Sequence, residues 1–449
     1  METTKLKRFA QHARTTLIDT VKTKLAFVLA DGSSARRENP HAIEKLQQEI
    51  AKSSKDQVID KVAYIWFNRF IALRFMDVNR YTKLNIVSPE PGQFQPTILS
   101  DAKMGHVDES LVSDSVKEKV LALLENRTPS KDPQGEAYKL LIVSTCNYYS
   151  HAMPFLFEKI ADYTELLMPD DLLSGTSILS YVREAMTPDV CEDVEVIGWL
   201  YQFYISEKKD KVFEGIKNNK KVTPENIPAA TQLFTPHWIV QYMVENSLGR
   251  LWMLNNPNSK LIEKMEYYIK PETTESDYLK IASPQELKVC DPACGSGHIL
   301  VYAFDLLYEI YKEEGIDESS IAELILKHNL FGIEIDERAA ELAAFALTMK
   351  AAARSGSKRR FFRNTIEVNI CKLETISFSD EEIGSYMDAI GRDLFTSDLQ
   401  TTLKQFEEAD NFGSLIQPAV KDVTAVLQTL KEKNVSHDLF LAPTHEKVL

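Results

Sequence analysis

Residues 287–300, LKVCDPACGSGHIL, join a short apolar run to a helical stripe through a turn that holds an acid and two glycines. Few folds accept that order. The apolar run has the length of a buried strand, and the glycines allow a tight turn with close approach of backbone to ligand. Downstream, Ile299, Ala303, Leu306, Leu307 and Ile310 fall on one helical stripe. A shorter helical segment at 319–329 leads to a second apolar run, LFGIEID at 330–336, and then to ERAAELAAFALTMKAAAR. The alanines of that segment give it strong helix propensity. TIEVNICKL at 365–373 supplies a third candidate strand. Strand, helix, strand, helix, strand is the pattern of a parallel sheet built from βαβ units. The fold class is α/β.

The preceding residues read differently. DKVAYIWFNRFIALRFMDVNRY places Val62, Ala63, Trp66, Phe70 and Leu73 on one helical face. YKLLIVSTCNYYSHAMPFLFEKIADYTELL and EVIGWLYQFYISEKKDKVFEGI are also helical in pattern, with loops at VSPEPGQFQP and TPSKDPQGE. At 449 residues the chain exceeds one typical core. Two domains follow, a helical N-terminal domain over 1–228 and the sheet-containing part over 229–449. Only 16 residues are glycine, against roughly 7% in an average protein, which also favours helix.

Charge and cysteines narrow the function classes. The net charge of −14 opposes a chain coated in nucleic acid, although RSGSKRRFFR at 354–363 allows a local phosphate contact. Between Glu374 and Asp410 ten acids face only Arg392 and Lys404. The N-terminus has no apolar export core, and no apolar run approaches the roughly 20 residues that cross a bilayer. Five cysteines without paired spacing read as reduced thiols in a cytoplasmic protein. No HxxxH or HExxH pair marks a metal site; His237 and His298, which follow two key turns, read as packing or capping residues.

The glycine turn fails the usual nucleotide patterns on single residues. A dinucleotide loop wants a third glycine where Leu300 stands, and no GKS or GKT follows for a P-loop. Asp291, at the tip of the first strand, suits a ligand with an ammonium group, such as S-adenosylmethionine. Glu334 ends the second strand, where a carboxylate can accept hydrogen bonds from two ribose hydroxyls, with Phe331 and Ile335 near the adenine. The distance from Gly297 to Glu334 exceeds the roughly 20 residues usual in Rossmann units, and the extra helix at 319–329 accounts for it.

DPACGSGHIL resembles motif I of the DNA adenine methyltransferases, and LFGIEID resembles their motif II. ATQLFTPHWIVQYMVENSLGRLW, at 230–252, is similar to their motif X, and motif X before motif I is the order of the gamma-type amino-methyltransferases. Together with AYIWFNRFIALRFMDVNRY, the resemblance is to the PglX adenine methyltransferases of BREX phage-defence systems, relatives of type I and IIG restriction-modification enzymes, along essentially the whole chain. It implies a helical N-terminal domain followed by an incomplete Rossmann-like methyltransferase domain, S-adenosylmethionine as cofactor, double-stranded DNA as the intact enzyme's partner, and no membrane. It places Thr235 and Pro236 at the methionine end of the cofactor, and Glu334 at the ribose with Ile335 at the adenine. The turn Asp291, Pro292, Ala293, Cys294, Gly295, Ser296 and Gly297 would surround the methionine and sulfonium. Each residue also has a structural reading: Thr235 as a helix cap with Pro236 in the first turn, Asp291 as a turn residue, Glu334 as a solvent-facing strand end.

No catalytic residue is assigned. The family presents the target adenine with [DNS]-PP-[YFW], and this sequence has no Pro-Pro dipeptide; NNPNS at 255–259 precedes motif I and belongs to a loop. The expectation is the N-terminal part of a longer enzyme, inactive alone, with LKVCD left as an unpaired edge that a C-terminal half or another defence protein would complete. The alternative is a non-catalytic scaffold or interaction module.

Overall fold

The computed structural model describes residues 3–158, 163–223, 226–233, 235–273, 275–373, 376–391, 394–407 and 409–433, with 444, 445 and 448. It is rich in helix and carries one small parallel sheet.

Long helices at Thr3–Leu29, Lys55–Val78, Pro133–Tyr149 and Glu195–Lys217 dominate the first half. Lys55–Val78 departs from the single apolar face expected of it. Tyr64, Phe67, Ile71 and Phe75 are buried as well as Trp66 and Phe70. The helix runs between Thr3–Leu29 on one side and Glu337–Arg354 on another, so no residue from Val62 to Val78 is exposed. The run expected to stay helical through YKLLIVSTCNYYSHAMPF stops at Tyr149. Pro154 explains this, since its ring clashes with the carbonyl four residues earlier and it has no N–H to donate. Residues 159–162 of that run lie outside the described residues.

The strands are β1 (Val289–Asp291), β2 (Leu330–Glu334) and β3 (Asn369–Lys372), parallel and in the order β1-β2-β3. Val289 pairs with Leu330, and Glu334 pairs with Lys372. The three apolar runs therefore do form strands. The longer helices between them are His298–Glu313, Glu318–His328 and Glu337–Arg354, as the periodicity predicts, with a single turn at Lys358–Phe361 besides. Asn329 locks the entry to β2: its amide donates to the carbonyls of Pro284 and Leu287 and accepts from Tyr311 Oη. Among the described residues β1 has a strand neighbour on one side only.

A continuous apolar core runs from Leu6 to Phe362, through both the helical half and the sheet. A second, smaller core gathers Phe378, Ile383, Tyr386, Ile390, Leu399 and Leu430. Among the described residues no helix is long and apolar enough to cross a membrane.

Candidate cofactor site

The turn after β1 is built by its own backbone. Asp291 Oδ1 accepts from the Ala293 amide at 3.1 Å, and the Cys294 amide bonds the Ile333 carbonyl of β2 at 3.0 Å. Gly295 and Gly297 have φ of 55° and 82°, in the left-handed region that favours glycine. Gly297 caps the helix His298–Glu313, and a Cβ on it would lie 3.0 Å from Ala343 Cβ and 3.1 Å from Ala343 Cα. The turn thus sits hard against the helix that follows β2. Pro292 and Ala293 are exposed, Ser296 is half-buried and Cys294 is buried, its thiol pushed up by burial and then by Glu334 and Asp291.

Glu334 closes the gap between the two strand ends. Its Oε2 accepts from the Gly295 amide at 2.7 Å, and its Oε1 accepts from the amides of Ile335 at 3.0 Å and Asp336 at 2.9 Å. It is buried, so it is not the solvent-facing strand end that the structural reading offered. Burial pushes its carboxyl above the usual range, while these amide bonds oppose the rise. Asp291 is also pushed up by burial, against the opposing bond from Ala293. Two carboxylates therefore stand at the carboxyl ends of adjacent parallel strands, where ligands of open α/β sheets bind. A carboxylate offers about four lone-pair positions and three amides occupy three of them, so one position, rather than the two expected for a pair of ribose hydroxyls, is open on Glu334.

The segment before the helix His237–Val244 lies beside this turn. The helix begins with Pro236 as cap and His237 as first residue, so the expected Thr235 cap with Pro236 in the first turn is shifted by one residue. Thr235 is half-buried and Pro236 exposed. Gln232 Oε1 would stand 3.8 Å from a Cβ on Gly295. The His237 and His298 rings stack at 5.9 Å between centroids, which places the Thr235-Pro236 turn beside the glycine turn. Ile335 meets the Gly413–Leu415 turn; a Cβ on Gly413 would come within 2.9 Å of Ile335 Cγ2.

The residues that fix this arrangement were not visible in the sequence. Glu195, first in the helix Glu195–Lys217, reaches His237 Nδ1 at 2.5 Å and His298 Nε2 at 2.6 Å with one oxygen. Burial pushes the Glu195 carboxyl up, but the hydrogen bonds and charges of His298 and His237 outweigh burial and hold it below the usual range. Two turns later on the same helix, Tyr201 Oη donates to Asp336 Oδ2 at 2.5 Å. Asp336 also binds Arg338, which reaches Asp60 at 3.4 Å, and Asp60 binds Arg14 at 2.7 Å. Burial raises Asp336, yet Arg338 and Tyr201 bring its carboxyl below the usual range. A cleft of about 590 Å³ opens along this ion-pair chain, walled by Tyr64, Asn68, Arg338 and Glu341. Glu195 is far in sequence from His237 and His298, as Tyr201 is from Asp336 and Asp60 from Arg338, so no local pattern could have shown those contacts.

Residues 277–366 match the family model described as "MmeI, DNA-methyltransferase domain". The chain is 36% identical to the adenine-specific methyltransferase BrxX of Escherichia coli O9:H4 (strain HS), over 95% of this chain and 38% of that protein. It is 33% identical to the adenine-specific methyltransferase PglX of Lacticaseibacillus casei (strain Zhang), over 93% of this chain and 38% of that protein. The chain thus spans well under half the length of these relatives. A solved structure of the type IIL restriction-modification enzyme MmeI in complex with DNA aligns with 92% of this chain and 49% of that one. At 14% identity and a TM-score of 0.32 it is too remote to carry an argument. Along 93–95% of its length the chain is a homologue of the adenine-specific methyltransferases BrxX and PglX.

Proposed function

We propose that this chain is the S-adenosylmethionine-binding portion of a DNA adenine methyltransferase of the BREX and restriction-modification kind, acting on the exocyclic amine. The observation that carries the reading is Glu334, buried at the end of β2 and bonded to the Gly295 amide of the preceding strand's turn. Strand order and motif order both support a Rossmann-like sheet, with the helical part over 1–228 and the methyltransferase part over 229–449. The donor set suits this cofactor: Asp291 for the ammonium group, the Gly295–Gly297 backbone for the methionine, Glu334 for the ribose and Ile335 for the adenine edge. Thr235 and Pro236 lie beside the same turn and would close over the methionine end. S-adenosylmethionine, when bound, supplies an electrophilic methyl group on a sulfonium centre.

Double-stranded DNA is the proposed substrate of the complete enzyme, which we place in the cytoplasm on the strength of five free cysteines. The sequence has no Pro-Pro dipeptide, so the groups that would present a flipped adenine to the methyl are not supplied here. We therefore infer cofactor binding for this chain and assign no methyl-transfer step to its residues.

Calorimetric titration of the full chain with S-adenosylmethionine tests the reading, alongside Glu334→Ala and Glu334→Gln. Saturable binding is expected in the parent. Loss of a charged hydrogen-bonding partner costs about 1.5–3 kcal/mol, so affinity should fall by roughly ten- to a hundredfold in folded variants. Equal affinity in parent and both variants would remove Glu334 from the cofactor site. A folded parent that binds nothing would favour the non-catalytic scaffold.

A further inference from the structure

Glu195, His237 and His298 each open a helix, at Glu195–Lys217, His237–Val244 and His298–Glu313. Their donor atoms, one carboxylate oxygen and two imidazole nitrogens, lie within 4.8 Å of one another. Among the described residues this is the one group of three such donors close enough to share an ion. Glu195 is 42 residues from His237 and 103 from His298, so the fold alone assembles the set.

We propose that these three side chains form a binding site for a single divalent transition-metal ion of the Zn2+ class, which staples the helical half of the chain to both turns of the cofactor site. Two imidazoles and one carboxylate are an established ligand set for such ions, with one position left to water. In a tetrahedral site with bonds of about 2.0–2.1 Å, ligand atoms stand roughly 3.3 Å apart. The two glutamate–histidine distances are 2.5 and 2.6 Å, so each must open by less than about 1 Å. Glu195 has a long, flexible side chain and His237 is 51% exposed, so both can make that adjustment. His298 is 8% exposed and anchors the site from within, while the exposed face of His237 gives the ion and its water a way in. The donors are already gathered, so little ordering is left for the ion to impose. The inference stands apart from cofactor binding, since none of the three donors was assigned to the cofactor.

The test is titration of the full, chelator-treated chain with Zn2+ by calorimetry and with Co2+ by visible absorbance, at pH 7.5. One ion per chain is expected, with a rise in Tm and the weak visible bands of nitrogen and oxygen ligands. His237→Ala, at a half-exposed side chain that the core does not need, and Glu195→Gln should each weaken binding by more than about tenfold, since even outer-shell partners are worth that much. Circular dichroism establishes that each variant is folded. Three results would overturn the proposal: no saturable binding by the parent, equal binding in folded His237→Ala and parent, or intense thiolate charge-transfer bands. The last would place the ion on Cys290 or Cys371, the two exposed cysteines.

Discussion

A Cβ on Gly332 would stand 2.7 Å from Ile370 Cδ1, 2.9 Å from Cys294 Sγ and 3.0 Å from Leu300 Cδ1. The middle of β2 thus has no room for a methyl group, because the glycine turn and the helix after it fold back onto the strand. Gly332→Ala is expected to cost about 1–3 kcal/mol through overpacking, read as a lower urea midpoint at unchanged slope. Glu341 makes a different residue-scale prediction. Burial, then the charge of Glu337, pushes its carboxyl up to about 8, against an opposing hydrogen bond from Asn68 at 3.3 Å. Its folded pKa lies above its unfolded value, so between about 4.5 and 8 the folded state holds a proton that the unfolded chain has lost. Its contribution is fully present below that window and declines as pH rises through it. Glu341→Gln keeps the neutral shape and removes the dependence. The variant's stability relative to the parent should grow from pH 5 to pH 8 and then level off, in urea titrations at pH 5, 7 and 9. A difference that stays constant with pH would mean that Glu341 does not hold a proton in the folded chain.

The helix Glu195–Lys217 is the element on which the candidate site rests. Its first residue holds the histidines that follow the Thr235-Pro236 turn and the glycine turn, and Tyr201 holds the acid two residues beyond Glu334. Tyr201→Phe removes a hydrogen bond to a buried carboxylate and should cost about 1.5–3 kcal/mol in chemical denaturation. Arg338 still pairs with Asp336 in that variant, so the fold should survive the loss. The sequence announces this element as a helix and says nothing of what it holds. Helix and strand are local: the alanines of Glu337–Arg354 and the apolar runs of β1, β2 and β3 carry their own periodicity. Contacts across a hundred residues leave no such trace, as Glu195 and His298 show. Interruptions within a helix are also hard to read. HWIVQYMVENSLGRLW has an unbroken helical pattern, yet it contains a π turn at Glu245–Gly249. That wider turn accompanies a buried glutamate, Glu245, which accepts from Tyr302 Oη at 2.6 Å and the Tyr267 amide at 2.5 Å. Those partners come from beyond the helix.

At the scale of the whole molecule, the division read from the chain's length and helical patterning at residue 228 does not coincide with a break in the core, which continues from the helices into the sheet. The helical half therefore forms part of the support of the two turns of the candidate site. The buried surface breaks later, between the large core and the small cluster from Phe378 to Leu430. The small cluster holds far fewer buried side chains, and the turn Gly413–Leu415 brings its part of the chain against β2 at Ile335. Regions with few buried apolar contacts open at lower free energy than the global transition. Native-state hydrogen exchange should therefore show the helix Asp380–Ile390 opening well below the free energy of Glu337–Arg354, with a shallower dependence on denaturant. If the two helices share one opening free energy and one denaturant slope, the small cluster unfolds only with the whole, and the contact at Ile335 carries more stability than its size implies. If they separate as expected, the wall beside Ile335 can open while the strand ends that hold Asp291 and Glu334 stay folded.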